Sequence, residues 1–148
     1  MPVFPSVEWF EAVKDIVNHD EAFRRLGTID TTVGVKVGDK IYQLTFEAFE
    51  CTEVKEITER DLRDVDFWLE QPYEGWKEML QNIKEKGAAD LDHTLNTIDL
   101  NMPEGFARSY DGYRRDAFYR FNQSLQDFFN ASAKIDTQFA PQAEVARA

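Results

Sequence analysis

Two histidines, His19 and His93, are the general-base candidates of the usual kind, and the chain has one cysteine, Cys51. Nucleophilic catalysis needs a Ser, Thr or Cys beside a base and an orienting group. His19 sits in the polar stretch Asn18-His19-Asp20-Glu21, and His93 follows Asp90 and Asp92. Both read as surface histidines. Asp90, Asp92 and His93 are metal-ligand types close in sequence, but no second cluster completes a site. The series Asp61, Asp64, Asp66 lacks the spacing and glycine of a calcium loop. No Gly-rich phosphate loop is present. The sequence therefore predicts no catalytic residues, no metal site and no cofactor. A small acid–base isomerase or cyclase is the enzymatic alternative. Its first suspects are Tyr110, Asp111 and Tyr113, and it needs a carboxylate with a raised pKa inside a pocket.

The residues that stand out are apolar. Aromatics make up 14% of the chain, and 12 of them are Phe. Phe118, Phe121, Leu125, Phe128 and Phe129 fall on one stripe at helical spacing between Arg115 and Lys134. One apolar stripe is what any covering helix needs. The same residues also make a pocket wall for a lipid-like ligand, because Phe, Trp and Met offer large apolar surface with few polar groups. Pattern alone does not separate the two. The candidate pocket residues are Trp68, Trp76, Met79, Leu80, Phe106, Phe118, Phe121, Leu125 and Phe128, with burial and shape as their role.

Several elements must position them. A helix is expected over Val7 to Leu26, with Ser6 as N-cap, Gly27 as stop and a break near Asn18-His19-Asp20. Ile29, Thr31, Val33, Val35 and Val37 alternate with polar residues, as do Tyr42, Leu44, Phe46 and Ala48. Gly38-Asp39 between them reads as a two-residue hairpin loop. That loop sets Val35 opposite Tyr42, Val33 opposite Leu44 and Thr31 opposite Phe46, with the apolar sets on one face. Cys51 to Ile57 and Val65 to Leu69 read as a third and a fourth strand. Pro72 opens a helix that buries Trp76, Met79, Leu80 and Ile83 and ends at Gly87. Leu95 to Leu100 is expected as a short fifth strand. The layout is α+β: about five strands, mainly antiparallel, covered on one face by helices, with an extended Phe-rich C-terminal helix.

With 148 residues, the chain fits one domain. Residues 1–136 are expected to form it, and 137–148 to be a flexible tail. The formal net charge of −11 repels phosphate backbones and anionic headgroups. The expectation is no nucleic-acid binding and no stable membrane association. Met1 to Glu8 has neither the basic region nor the apolar core of a signal peptide. With a single cysteine, a reducing, cytoplasmic setting is expected.

Four stretches carry a family resemblance: Asn18-His19-Asp20-Glu21-Ala22-Phe23 after the first helix, the hairpin Thr32 to Tyr42, the strand Asp64-Val65-Asp66-Phe67-Trp68-Leu69, and Tyr73 to Leu80 in the helix that follows. In order and spacing they resemble the sterol carrier protein type 2 family, over roughly residues 7 to 100. The resemblance implies a sheet with helices on one face, enclosing a hydrophobic tunnel for sterols, fatty acids or acyl chains. It implies a carrier or binding module without chemistry. Pro103 to Ile135 is longer and more aromatic than the family's C-terminus. The final helix therefore fills the pocket, reshapes it or makes a homodimer contact. The expected partner is an apolar small molecule or lipid. The rival reading is an interaction protein whose pocket is full and whose Phe stripe meets another chain.

Overall fold

The structure, a computed structural model, describes residues 1–141. It begins with β1 (Val3–Phe4), α1 (Val7–Asn18) and α2 (Glu21–Arg24). Ser6 Oγ accepts the Trp9 amide at 3.0 Å and caps α1. Asp20 caps α2, so the break expected at Asn18-His19-Asp20 is present. Three strands follow: β2 (Thr31–Val37), β3 (Lys40–Glu47) and β4 (Glu50–Ile57). The β2–β3 register pairs Val35 with Tyr42, Val33 with Leu44 and Thr31 with Phe46. This is the register that the Gly38-Asp39 loop demands, and Gly38 takes the left-handed φ of 61°.

A 3-10 turn, Glu59–Asp64, leads to β5 (Phe67–Gln71), which runs parallel to β2. Then come α3 (Tyr73–Lys86), α4 (Leu95–Asn101), β6 (Ala107–Arg108), α5 (Gly112–Arg115) and α6 (Ala117–Asn130). A second 3-10 turn, Ala131–Lys134, precedes β7 (Gln138–Phe139). The main sheet is mixed and five-stranded, in the order β4-β3-β2-β5-β6. The fold is thus α+β, with β2–β5 the parallel pair and the other three pairs antiparallel.

One large core joins the inward strand residues Val33, Val35, Leu44, Phe46, Phe67 and Leu69 to α1, α3 and α6. The other face carries a smaller cluster of Ile41, Ile57, Leu62, Val65 and Trp68, under the first 3-10 turn. Gly34 lets that turn and β5 approach, since a Cβ there would lie 2.8 Å from Trp68 Cβ and 3.1 Å from Leu62 Cδ2.

Two expectations fail. The fifth strand is not Leu95 to Leu100. That stretch is the helix α4, because Leu95, Ile98, Asp99 and Met102 recur at helical spacing against the core and Thr94 caps the first turn. The edge strand is β6 instead, which pairs antiparallel with β5. Nor does order stop at residue 136. β7 pairs parallel with β1, and the Tyr73 hydroxyl donates to the Ala140 carbonyl at 2.6 Å. Trp9 Nε1 donates to Thr137 Oγ1 at 2.9 Å. Residues 142–148, the rest of the expected tail, lie outside the described residues.

Candidate functional site

The nine candidate residues divide by location. Trp76, Met79, Phe106, Phe118, Leu125 and Phe128 are fully buried between sheet and helices, and Leu80 almost so. Phe121 is half-buried at the rim of that layer, with the Arg120 guanidinium 5.2 Å from its ring centre. Trp68 is not with them. Strand alternation turns Phe67 and Leu69 inward, so Trp68 joins the cluster on the opposite face and packs 5.3 Å from the Tyr110 ring.

Four of the inward six, Trp76, Phe106, Phe118 and Phe128, make ring contacts within the core. Trp76 lies 5.3 Å from Phe106 and 5.4 Å from Phe129. Phe118 meets Phe67 edge-on at 5.9 Å, and Phe128 meets Phe46 at 5.8 Å. These are the offset and edge-to-face distances that aromatic cores favour. Trp76 also donates its indole N–H to the Lys36 carbonyl at 2.8 Å. The final helix therefore packs its stripe directly onto the sheet.

Open space lies at the rim. One cavity of about 340 Å³ sits between α3, the Ala131–Lys134 turn and the β1–β7 ribbon. Leu80, Met1 and Phe139 give it an apolar wall, and Gln81, Lys84, Ser132 and Asp136 a polar mouth. Helical spacing puts Leu80 and Lys84 on one face of α3. The Lys84 ammonium is held by Asp136 at 3.0 Å and by the Ala133 carbonyl at 3.1 Å. Small-molecule sites run to ~300–1,000 Å³, so this one suits a slim ligand better than a fused ring system.

A second cavity, of about 290 Å³, lies where the parallel strands β2 and β5 end. Lys36, Gly38, Glu70, Gln71, Pro72, Met102, Glu104 and Arg108 line it. Glu70 takes the Trp68 indole N–H at 3.0 Å and faces Arg108 at 3.5 Å and Lys36 at 3.9 Å. Gln71 is buried, and its amide nitrogen has no hydrogen-bond partner among the described residues.

Comparison with family models, curated proteins and solved structures finds no match to this chain. The reading of the site therefore rests on its own geometry.

The acid–base suspects stand apart from these cavities. Tyr110 and Tyr113 are exposed, at 69% and 88%, and Asp111 caps α5 by accepting the Tyr113 amide at 2.9 Å. Cys51 is fully buried, and burial pushes its thiol pKa up to about 12, which removes its thiolate at neutral pH. His19 Nδ1 donates to the Asp15 carbonyl at the end of its own helix. Among the described residues no group of His, Cys, Asp and Glu gathers to hold a metal ion. No helix among them is long and apolar enough to cross a membrane.

His93 has a structural task. Its Nδ1 meets Asp90 at 2.6 Å and its Nε2 meets Glu78 at 2.8 Å, tying the loop after α3 back to that helix. Asn82 and Lys86 of α3 hold the same Asp90 carboxylate. The hydrogen bond to Asp90, then that to Glu78, raises the His93 pKa above its ordinary value. The same contact holds Asp90 well below the usual carboxylate range. A raised histidine stabilises fully below its unfolded value of ~6.5 and loses that contribution as pH rises through its folded value. The melting temperature of the native protein, relative to His93→Gln, is expected to fall by a few degrees on going from mildly acidic to mildly alkaline pH. A difference that is flat across this range would show that the clasp does not form in solution.

Proposed function

We propose that the chain is a non-catalytic binding or carrier protein for an apolar ligand of the fatty-acid or acyl-chain type, working in the cytoplasm. One observation carries this reading: a cavity of about 340 Å³ with an apolar wall and a polar mouth at the edge of a filled aromatic core. The wall of Leu80, Met1 and Phe139 suits methylenes, and a carboxylate or ester end reaches the Lys84 ammonium at the mouth by displacing Asp136. The terminal ribbon forms one side of the cavity, whose mouth opens to solvent, so a ligand enters without passing through the core. The sterol carrier protein type 2 resemblance implies a tunnel between sheet and helices; the aromatic layer fills that space, so the proposed ligand sits at the rim instead. The slim cavity favours single chains over sterols.

A fluorescent anthroyloxy-palmitate probe tests this. Saturable binding of one probe per chain is expected. Gln81→Trp, on the exposed cavity side of α3, fills the space without touching the core. It should weaken binding by tenfold or more, the equivalent of about 1.4 kcal/mol, and leave the melting temperature unchanged. No binding to the native protein, or equal binding to the variant, removes the reading.

A second reading has its own observation. Leu100, Tyr113, Tyr110 and Tyr119 stand out at 75%, 88%, 69% and 52% exposure along α4, α5 and α6. Tyrosine-rich surface of this kind is enriched at protein interfaces. In this reading the face, rather than the inward Phe stripe, meets a second copy. Light scattering that shows a monomer at all concentrations counts against it.

A further inference from the structure

We propose that a third cavity, where α1 begins beside the start of β3 and the end of β4, binds a zwitterionic α-amino acid with an apolar side chain. The argument starts from Tyr42, which lines this cavity of about 560 Å³. Its ring belongs to the core, 2% exposed and 5.0 Å from the Phe10 ring. Its hydroxyl has no hydrogen-bond partner among the described residues. Those residues hold one sealed side-chain polar atom without a partner, and it is in Gln71, so the Tyr42 oxygen reaches the open space. Burial, and then the charges of Glu56 and Glu8, push the Tyr42 pKa up. The group therefore stays a neutral hydroxyl that can donate and accept.

Charges of both signs surround that oxygen. Glu56 is the cross-strand partner of Tyr42, and Lys40 stands two residues before it. All three therefore lie on the face of the sheet that α1 covers. Glu8 comes to the same cavity from the first turn of α1. Lys36, in the second cavity, is held by Glu59 and Glu70. Among the described residues, Lys40, Glu8 and Glu56 have no such ion-pair partner. The start of α1 adds to the positive side. This helix has 12 residues, and its first amides, Val7 and Glu8, come before the Trp9 amide that Ser6 satisfies. A ligand that is only a cation would meet Lys40 and the helix dipole. One that is only an anion would meet Glu8 and Glu56. An ammonium and a carboxylate on one carbon use the whole set. The carboxylate answers Lys40, the start of α1 and the Tyr42 hydroxyl, and the ammonium answers Glu8 and Glu56. Val3, Pro5 and Ala140 supply an apolar wall for the side chain.

Calorimetric titration of the full chain with leucine, N-acetylleucine and leucinamide tests this, because the second lacks the ammonium and the third the carboxylate. Leucine should bind saturably with a Kd below about 1 mM, and each blocked analogue about tenfold more weakly or worse. Tyr42→Phe keeps the ring and removes the hydroxyl. It should weaken leucine binding about fivefold and leave the melting temperature unchanged, because no protein group loses a partner. Lys40→Gln should weaken leucine binding and strengthen that of leucinamide. Glu56→Gln should weaken leucine binding and strengthen that of N-acetylleucine. Gln81→Trp, at the fatty-acid cavity, should change none of this. The proposal falls if leucine does not saturate, if either analogue binds as leucine does, or if Tyr42→Phe binds leucine as the native protein does. A melting temperature lowered by several degrees in Tyr42→Phe also overturns it, since the chain's own groups would then hold the hydroxyl.

Discussion

Trp76→Ala is expected to cost about 3–5 kcal/mol of unfolding free energy, the range for removing a large buried aromatic ring. Small domains hold only about 5–15 kcal/mol in all, so this is roughly a fifth or more of the total. The indole is fully buried, touches Phe106 and Phe129, and donates to the Lys36 carbonyl on β2. Its removal opens a hole between sheet and helices and strands that carbonyl. Trp76→Phe keeps a ring and loses the donor, so its cost should be smaller, about 1–3 kcal/mol. Urea unfolding of both variants measures the difference. The result bears on function as well as stability. A residue that lines a ligand space is truncated cheaply, because its neighbours already face a void. A loss below about 1 kcal/mol for Trp76→Ala would mean that the aromatic layer encloses open room, a result at odds with a packed core.

That ambiguity explains how much of the molecule the sequence discloses. The β2–β3 hairpin was legible because two local signals agree: the alternation of Val33 and Val35 with that of Leu44 and Tyr42, and a Gly38-Asp39 loop that permits a single register. Ser6, Gly87 and the spacing of Trp76, Met79, Leu80 and Ile83 are likewise local, and they mark α1 and α3. Failures came where a distant partner decides. Thr94 to Leu100 carries Thr and Ile, which also suit a strand. Its helix is fixed by contacts from α6, where Gln126 accepts the Leu95 amide at 2.8 Å. The order of residues 137–140 depends on β1, more than a hundred residues away in sequence. The side on which Trp68 lies was readable from alternation with Phe67 and Leu69, yet its size suggested a pocket. The nine candidate residues were chosen by type, and type is the same for a packed core and a pocket wall. Neither rim cavity was legible, because each is closed by segments remote in sequence. The one trace of the second is a polar Gln71 at the end of an otherwise apolar inward row.

Asp99→Leu should be the other severe substitution. The carboxylate is buried on α4 and accepts the amides of Phe106 at 2.7 Å and Ala107 at 3.1 Å, with an Arg115 nitrogen at 3.5 Å. Arg115 Nε in turn donates to the Ala107 carbonyl at 2.6 Å. One side chain therefore closes the tight turn at Gly105, where φ is +80°, and fixes the edge strand β6 to α4 and α5. Leucine fills a similar volume but leaves two buried N–H groups unpaired and Arg115 without its counter-charge. At about 1–3 kcal/mol for each stranded group, the loss should reach about 3–5 kcal/mol. Asp99→Asn retains an acceptor oxygen and should cost about 1 kcal/mol. The damage should also be directional. Hydrogen exchange at the Phe106 and Ala107 amides should accelerate far more than at the central strands β2 and β3, because β6 is an edge held by two ladder pairs. Met102, Glu104 and Arg108 line the second cavity from this same turn. Asp99→Leu should therefore disturb the lining of that cavity while leaving fatty-acid binding beside Leu80 intact in whatever fraction stays folded. Equal exchange rates for the Leu and Asn variants would show that the two amides are paired without the carboxylate, and the link from Asp99 to the cavity would be lost.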